Sequence, residues 1–321
     1  MKKCFEKLEK VKINDSDQWV LVRGRSLSAP LIIHVQAGPG FPGISEYGAM
    51  GRLLRLEDDF LVAYWDQRGC GKSYVKDMDA SAMNFPQLTR DVISITGRLI
   101  GTYKKEKAAL IGYSIGASLA VMAASANPGI FSSLFLAGID IDIAQANIFA
   151  INFIKNRAMA SKNRKLIKAA AELEKTPVSD SKTFRMRARL LTDLGGIKTG
   201  SNYKKMLFGT IGSVLFNRAY GIGGLIRTVR GMEFCQDALV PGLETLNLFD
   251  AVKRIGVPVH FIQGRNDGIA PPDIAMKFYN SLEAPVKTID IFENSAHMPQ
   301  YDESRRFRNL IQERFSGYNN G

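Results

Sequence analysis

Continuous apolar runs alternate with segments of helical periodicity along much of this 321-residue chain. A short run of apolar residues between turn signals is typical of a strand that is buried on both faces of a parallel sheet. With two opening strands joined by a turn-rich stretch, the pattern predicts strands at residues 5–13, 18–23, 31–35, 60–65, 108–111, 134–137, 257–262 and 287–292. Helical spacing predicts helices at residues 85–100, 115–126, 271–282 and 303–315. This alternation predicts an α/β fold with a mostly parallel central sheet and helices on both faces.

The alternation stops between residues 141 and 243, where the pattern becomes helical and basic. Residues 145–240 hold 17 Lys or Arg against 6 Asp or Glu, so they account for nearly all of the net charge of +12. We therefore predict three parts: residues 1–140 as the first part of the core, 141–243 as a helical cap insertion, and 244–321 as the second part of the core. The basic charge has two interpretations, namely solvated helix faces or attraction of an anionic substrate, partner or membrane surface.

Composition narrows the class of protein. A hydrophobic share of 45% and a charged share of 23% are typical of a globular domain. No apolar run approaches the roughly 18 residues of a membrane-spanning helix, and no aromatic residues alternate with the basic ones as a nucleic-acid surface requires. The three cysteines are widely scattered and form no metal-binding pair. Because no signal-peptide pattern opens the chain, we predict a cytoplasmic location.

A candidate nucleophile lies between a predicted strand and a predicted helix, in the sequence Gly-Tyr-Ser-Ile-Gly at 112–116. A serine on such a turn has a strained backbone that passes close to the helix behind it, so small neighbours are needed on both sides. Gly112 and Gly116 provide them around Ser114. A serine hydroxyl also needs an adjacent base, because it is a weak nucleophile at its own pKa.

The chain has three histidines, and His34 and His260 fall within apolar strands, where a packed core role is expected. His297 lies in a loop before the last predicted helix and is the candidate base. A base of this kind needs a carboxylate that fixes its tautomer. Asp267, which follows the strand at 257–262, is the first candidate, and Asp140, which follows the strand at 134–137, is the alternative.

An acyl-transfer site also needs backbone N–H groups directed at the developing oxyanion. One donor is expected from Ile115, the residue after the nucleophile. The other is expected from the loop Gln-Ala-Gly-Pro-Gly at 36–40, with Gly38 as the first choice and Ala37 as the second. The sequence Gly-Lys-Ser at 71–73 is similar to the end of a phosphate-binding loop, but the required earlier glycine is replaced by Asp66. A nucleotide site is therefore not expected.

Taken together, the loop at 36–40, the segments 65–73 and 112–116, Asp267 and His297 resemble the proline iminopeptidase-like branch of the α/β-hydrolase superfamily. In that family a His-Gly-Gly-Pro-Gly loop precedes the motif Asp-Gln-Arg-Gly-x-Gly-x-Ser, which is complete here at 66–73. The resemblance implies the α/β-hydrolase fold with an inserted helical cap and no metal or organic cofactor. It also implies that Ser114 is the nucleophile, Asp267 the acid and His297 the base. The oxyanion donors that it implies are Gly38 and Ile115.

Two departures affect the expected activity. Gln36 and Ala37 replace the histidine and first glycine of the family's loop. The family's aminopeptidases bind a free amine with glutamates of the cap, and no glutamate of this cap matches that pattern. An electropositive cap repels an ammonium group. We therefore expect a serine hydrolase that cleaves a small neutral or anionic ester or amide, from a small molecule or a short peptide. The alternatives are a proline iminopeptidase-type aminopeptidase and a non-catalytic binding protein with this fold.

Overall fold

The computed structural model describes residues 4–176 and 178–316, and in these ranges eight strands form one sheet in the order β1-β2-β4-β3-β5-β6-β7-β8. The strands are β1 (Phe5–Ile13), β2 (Ser16–Gly24), β3 (Leu31–Val35), β4 (Leu61–Asp66), β5 (Ala108–Tyr113), β6 (Phe131–Ala137), β7 (Val259–Gly264) and β8 (Lys287–Phe292). The joins β1–β2 and β2–β4 are antiparallel and the others parallel. The carboxyl ends of β3 to β8 therefore share one edge of the sheet.

Helices cover both faces of this sheet. The helices are α1 (Gly43–Leu54), α2 (Phe85–Tyr103), α3 (Ile115–Ala126), α4 (Ile143–Ala160), α5 (Arg164–Glu174), α6 (Ser181–Asp193), α7 (Tyr203–Leu215), α8 (Gly221–Leu239), α9 (Leu248–Ala251), α10 (Pro272–Ser281), α11 (Pro299–Asp302) and α12 (Ser304–Ser316). One buried cluster contains Val92 of α2, Leu119 of α3 and Phe278 of α10. A second contains Ile44 of α1 and Phe307 of α12. Because both faces are covered, every residue of β3, β4, β5 and β7 is buried.

Six helices, α4 to α9, lie between β6 and β7, and we call the first five of them, α4 to α8, the inserted helices. Helices α4 to α6 have an apolar cluster of their own, which includes Ile154, Leu173 and Leu191. Helix α8 differs, because its Cys235 and Leu239 belong to the cluster of the sheet. The inserted helices therefore combine a separately packed part with a part anchored on the core. The bounds 141–243 for a cap stay a prediction.

Two elements differ from the sequence-based expectation. Helix α1 was not expected, because three glycines within twelve residues lower its helical propensity. Its first turn is instead held from outside, where the backbone N–H of Ile44 donates to Asp66 Oδ1 at 2.9 Å. The final helix expected at 303–315 is α12, within one residue at each end, whereas the short α11 before it was not expected. The two are separated at Glu303, whose backbone leaves helical geometry with φ −128° and ψ 51°.

No helix within residues 4–176 and 178–316 is long and apolar enough to cross a membrane. The same ranges contain no group of three or more His, Cys, Asp or Glu side chains that could hold a metal ion. Cys4, Cys70 and Cys235 are free thiols.

Candidate active site

Ser114 is the turn residue between β5 and α3. Its backbone has φ 52° and ψ −128°, a conformation that a residue with a side chain rarely adopts. A Cβ atom at Gly112 would lie 2.5 Å from Cα of Ala117, and one at Gly116 would lie 2.3 Å from the carbonyl oxygen of Gln36. The two glycines therefore allow the strained turn to pack against α3 and against the end of β3.

His297 and Asp267 form the first of two side-chain pairs at the carboxyl edge of the sheet. His297 Nδ1 lies 2.9 Å from Asp267 Oδ2, and Asp267 is 1% exposed. Gln263 Nε2 also donates to Oδ2 at 2.9 Å, and the backbone N–H groups of Ile269 and Ala270 donate to Oδ1 at 2.8 and 2.9 Å. These donors stabilise an ionised carboxylate, to which His297 donates from Nδ1. The other ring nitrogen, Nε2, is then left as a proton acceptor.

Glycines bring the two loops of this pair together. A Cβ atom at Gly264, at the end of β7, would lie 1.8 Å from the carbonyl oxygen of Ala296. Gly138, after β6, has φ +55°, and its Cβ atom would lie 2.9 Å from His297 Nδ1. Both positions need glycine because the loop that carries His297 packs directly against their backbone.

Ser114 and Asp140 form the second pair. Ser114 Oγ donates a hydrogen bond of 2.7 Å to Asp140 Oδ2, and Asp140 is 3% exposed. Among the described residues, no hydrogen bond joins Ser114 to His297. Burial raises the pKa of Asp140, although the nearby charge of His297 and the hydroxyl of Ser114 oppose the shift. The structure thus brings Ser114, His297 and both candidate acids to one edge of the sheet, but as two separate pairs.

The pKa values of His297 and His260 are shifted in opposite directions. Burial lowers the pKa of His297, but the charge and hydrogen bond of Asp267 outweigh this effect, so the pKa lies above its ordinary value of 6.5. His34 and His260 are buried within β3 and β7. Burial lowers the pKa of His260 to about 4.

The expected oxyanion donors share one small cavity. Gly38, Ala37 and Ile115 line a cavity of about 20 Å³ beside the first turn of α3. The first backbone N–H groups of a helix have no acceptor within the helix, so the N–H of Ile115 is available to a ligand. A cavity of this size accommodates roughly one water-sized group. The site is nearly closed, since Ser114 is 8% exposed and the side chain of His297 is 9% exposed.

The segment at 66–73 holds neighbouring elements together. Asp66 Oδ2 accepts hydrogen bonds from the backbone N–H of Lys72 at 2.8 Å and from the hydroxyl of Tyr220 at 2.5 Å. Asp66 Oδ1 binds the start of α1, and Lys72 Nζ donates to the carbonyl oxygen of Ala219 at 2.7 Å. These contacts join the sheet, α1 and the connection between α7 and α8.

Three residues of the site were missed by the sequence reasoning: Gly138, Gln263 and Arg187. The glycine that immediately follows the strand at 134–137 was a usable signal for Gly138. Arg187 of α6 carried no local signal, because it stands among many basic residues of the inserted helices. In the structure it is 7% exposed, and its charge influences the pKa of both Asp140 and His297.

Comparison with known proteins finds similarity to several proteins described as hydrolases or peptidases. The family model described as serine aminopeptidase, S33, matches residues 45–192. The chain is 27% identical over 312 residues to the probable aminopeptidase YbaC of Bacillus subtilis (strain 168), covering 97% of this chain and 96% of that protein. The structure of a proline iminopeptidase from Mycobacterium smegmatis is similar with a TM-score of 0.67 at 18% identity, covering 96% of this chain and 97% of that one.

A further structure, the 2-hydroxy-6-oxo-6-phenylhexa-2,4-dienoate hydrolase of Rhodococcus sp. strain RHA1, has a TM-score of 0.66 at 16% identity, covering 98% of this chain and all of the other. Together with the mostly parallel eight-stranded sheet, these similarities support a hydrolase. The chain has the α/β-hydrolase fold.

Proposed function

We propose that this protein is a serine hydrolase that cleaves a small ester or amide through an acyl-enzyme on Ser114. The observation that carries the proposal is the buried hydrogen bond between His297 Nδ1 and Asp267 Oδ2, at the sheet edge where the strained turn presents Ser114. A histidine held in this tautomer beside a serine at such a turn is the arrangement that activates a hydroxyl for attack on a carbonyl.

In the proposed first step, the Ser114 hydroxyl leaves Asp140 and turns toward His297 Nε2. Rotation about one side-chain bond is sufficient for such a change, and hydrogen bonds of catalytic groups often form only when substrate is present. His297 takes the hydroxyl proton as Oγ attacks the carbonyl carbon. The carbonyl oxygen then becomes an oxyanion, which accepts hydrogen bonds from the N–H groups of Gly38 and Ile115.

Collapse of this intermediate expels the alcohol or amine, to which His297 returns the proton, and leaves the acyl group on Ser114. His297 next takes a proton from a water molecule that attacks the acyl-enzyme. It passes this proton to Ser114 Oγ as the bond to the acyl carbon breaks, so the acid is released and the free enzyme is restored. The carboxylate of Asp267 stabilises the imidazolium that forms in both steps without taking its proton. We propose that the inserted helices, as a cap spanning residues 141–243, cover this site.

The test is labelling with a fluorophosphonate probe, read by peptide mass spectrometry. Modification is expected at Ser114 and is expected to disappear in Ser114→Ala. Ser125, exposed near the end of the same helix, supplies the matched control, so Ser125→Ala should be labelled as the wild type is. A well-folded wild-type protein that resists the probe would contradict the proposal and favour the non-catalytic binding protein.

Aminopeptidase activity is the second candidate, because both the family model and the Bacillus relative are described as aminopeptidases. The glutamates within residues 141–243, the candidates for binding a free amine, are Glu172, Glu174 and Glu233, and all three are exposed to solvent. We therefore expect aminoacyl p-nitroanilides to be hydrolysed no faster than their N-acetylated forms. A strong preference for the free amine would establish the aminopeptidase. A cytoplasmic location stays a prediction.

A further inference from the structure

Arg187 is a buried cation near the middle of α6 and is 7% exposed. Its Nη1 group donates a hydrogen bond to Asn147 Oδ1 of α4. Its guanidinium carbon lies 5.3 Å from the ring centroid of Phe184. An arginine removed from water in this way ordinarily has an anionic partner, because an isolated buried charge is costly.

The buried charge of Arg187 lacks that partner. Within residues 4–176 and 178–316 it forms no ion pair, and neither Nε nor Nη2 has a hydrogen-bond acceptor, with Nε fully buried. Burial lowers the pKa of Arg187 to about 10, even though Asp140 and Glu244 attract its charge from a greater distance. The edge formed by Nε and Nη2 is therefore unsatisfied, and it is the edge that binds both oxygens of a carboxylate.

The surrounding elements place Arg187 at the candidate active site. Asn147, its partner, lies in the first turns of α4, shortly after the segment that carries Asp140. Leu191 lies one helical turn beyond Arg187 and packs on the Asp267 loop, where its Cδ2 would be 3.1 Å from a Cβ atom at Gly268. Arg187 is also close enough to Asp140 and His297 for its charge to influence the pKa of each.

We propose that Arg187 binds a carboxylate group of the substrate and so selects anionic esters or amides for the reaction at Ser114. This inference rests on the proposed serine hydrolase function and names its substrate class. The free Nε–Nη2 edge supplies two parallel donors, and the buried position strengthens their attraction for an anion. Asn147 holds the opposite side of the guanidinium and fixes the direction of that edge.

Three matched pairs of p-nitrophenyl esters test the proposal: hemisuccinate with butyrate, hemiglutarate with valerate, and hemiadipate with hexanoate. Each pair differs only in a terminal carboxylate that replaces a methyl group. The ratio of kcat/KM for the anionic to the neutral member is measured in the wild type, Arg187→Met, Arg187→Lys and Arg189→Met. Arg189 is the matched control, since it lies on the same helix with a side chain that is 64% exposed.

The wild type is expected to prefer the anionic member of at least one pair, and Arg187→Met to lower that ratio by about tenfold or more. Arg187→Lys keeps the positive charge but lacks the planar guanidinium group, so its ratio should lie between those of the wild type and Arg187→Met. Arg189→Met should change the ratio by less than about twofold, because exposed charges contribute little. A wild type without preference in all three pairs, or an unchanged ratio in Arg187→Met, overturns the proposal.

The proposed function and this inference fail in distinguishable ways. Hydrolysis of the neutral esters and labelling of Ser114 report on the nucleophile, whereas the ratio reports on the carboxylate site. If the wild type neither hydrolyses esters nor takes the label, calorimetric titration with succinate, glutarate and adipate decides the second question. Binding that is lost in Arg187→Met and kept in Arg189→Met supports the carboxylate site, and no binding to the wild type excludes it. Thermal unfolding confirms that each variant is folded.

Discussion

Replacing Asp267 with asparagine tests the proposed base–acid pair most directly, because the two candidate acids make different contacts. Asp267 accepts from four donors, namely His297 Nδ1, Gln263 Nε2 and two backbone N–H groups. An asparagine side chain has one oxygen, which can satisfy about two of them. When that oxygen faces the two backbone donors, the new NH2 group faces both His297 and Gln263.

His297 must then accept at Nδ1 and carry its proton on Nε2, so it can no longer take a proton from Ser114. Loss of the correct tautomer in this way lowers kcat by about 10⁴-fold in known Ser-His-Asp enzymes. That factor corresponds to about 5.4 kcal/mol of barrier. Gln263 Nε2 keeps its hydrogen bond to the carbonyl oxygen of Ala270, but its other N–H loses its acceptor, which lowers stability by about 1–3 kcal/mol.

Asp140→Asn is the matched control. Asp140 accepts from Ser114 Oγ, and an asparagine oxygen can accept the same hydrogen bond. The variant should therefore lose less than about tenfold in kcat, since one acceptor replaces another of similar shape. Both variants are compared by kcat/KM for p-nitrophenyl acetate and by the rate of fluorophosphonate labelling, with thermal unfolding as the check of folding. A larger loss of activity in Asp140→Asn than in Asp267→Asn would assign the acid role to Asp140. A loss below about tenfold in both variants would refute a catalytic role for the pair of His297 and Asp267.

Three further predictions follow from single contacts. The pKa of His297 is raised above 6.5, and the neutral ring is the proposed base. The value of kcat/KM should therefore fall as the pH drops through a midpoint above 6.5. A pH profile whose acid limb lies below pH 6 would contradict this. Gly264→Ala should lower the free energy of unfolding by about 1–3 kcal/mol or more, because the new Cβ atom meets the backbone of Ala296. Gly97→Ala in α2 should raise it by about 0.5–1 kcal/mol, because a Cβ atom there has no neighbour within 4 Å. Denaturant unfolding measures both variants, and equal effects would refute the packing argument. Asp91→Ala should lower the free energy of unfolding by about 3–5 kcal/mol in the same measurement. The reason is that it removes the buried carboxylate that Arg68 binds at 2.7 and 3.0 Å. A loss under 1 kcal/mol would show that this ion pair is not needed for stability.

The sequence by itself determined the elements whose signals are local. Continuous apolar runs predicted the strands because a strand covered on both faces needs apolar side chains at nearly every position. The glycines around Ser114 predicted a tight turn, since the backbone there has room for nothing larger. The α/β-hydrolase fold was also predicted from the sequence, because the motifs at 36–40, 66–73 and 112–116 that carry the resemblance are contiguous segments.

The tertiary structure alone decided the contacts between distant parts of the chain. Helix α1 forms despite its glycines because Asp66 binds its first turn. That Ser114 donates to Asp140, and that Arg187 is buried without an anion, depend on residues far apart in sequence. No local pattern encodes such pairings, because hydrogen-bond partners and burial are set by how the sheet and the inserted helices pack together.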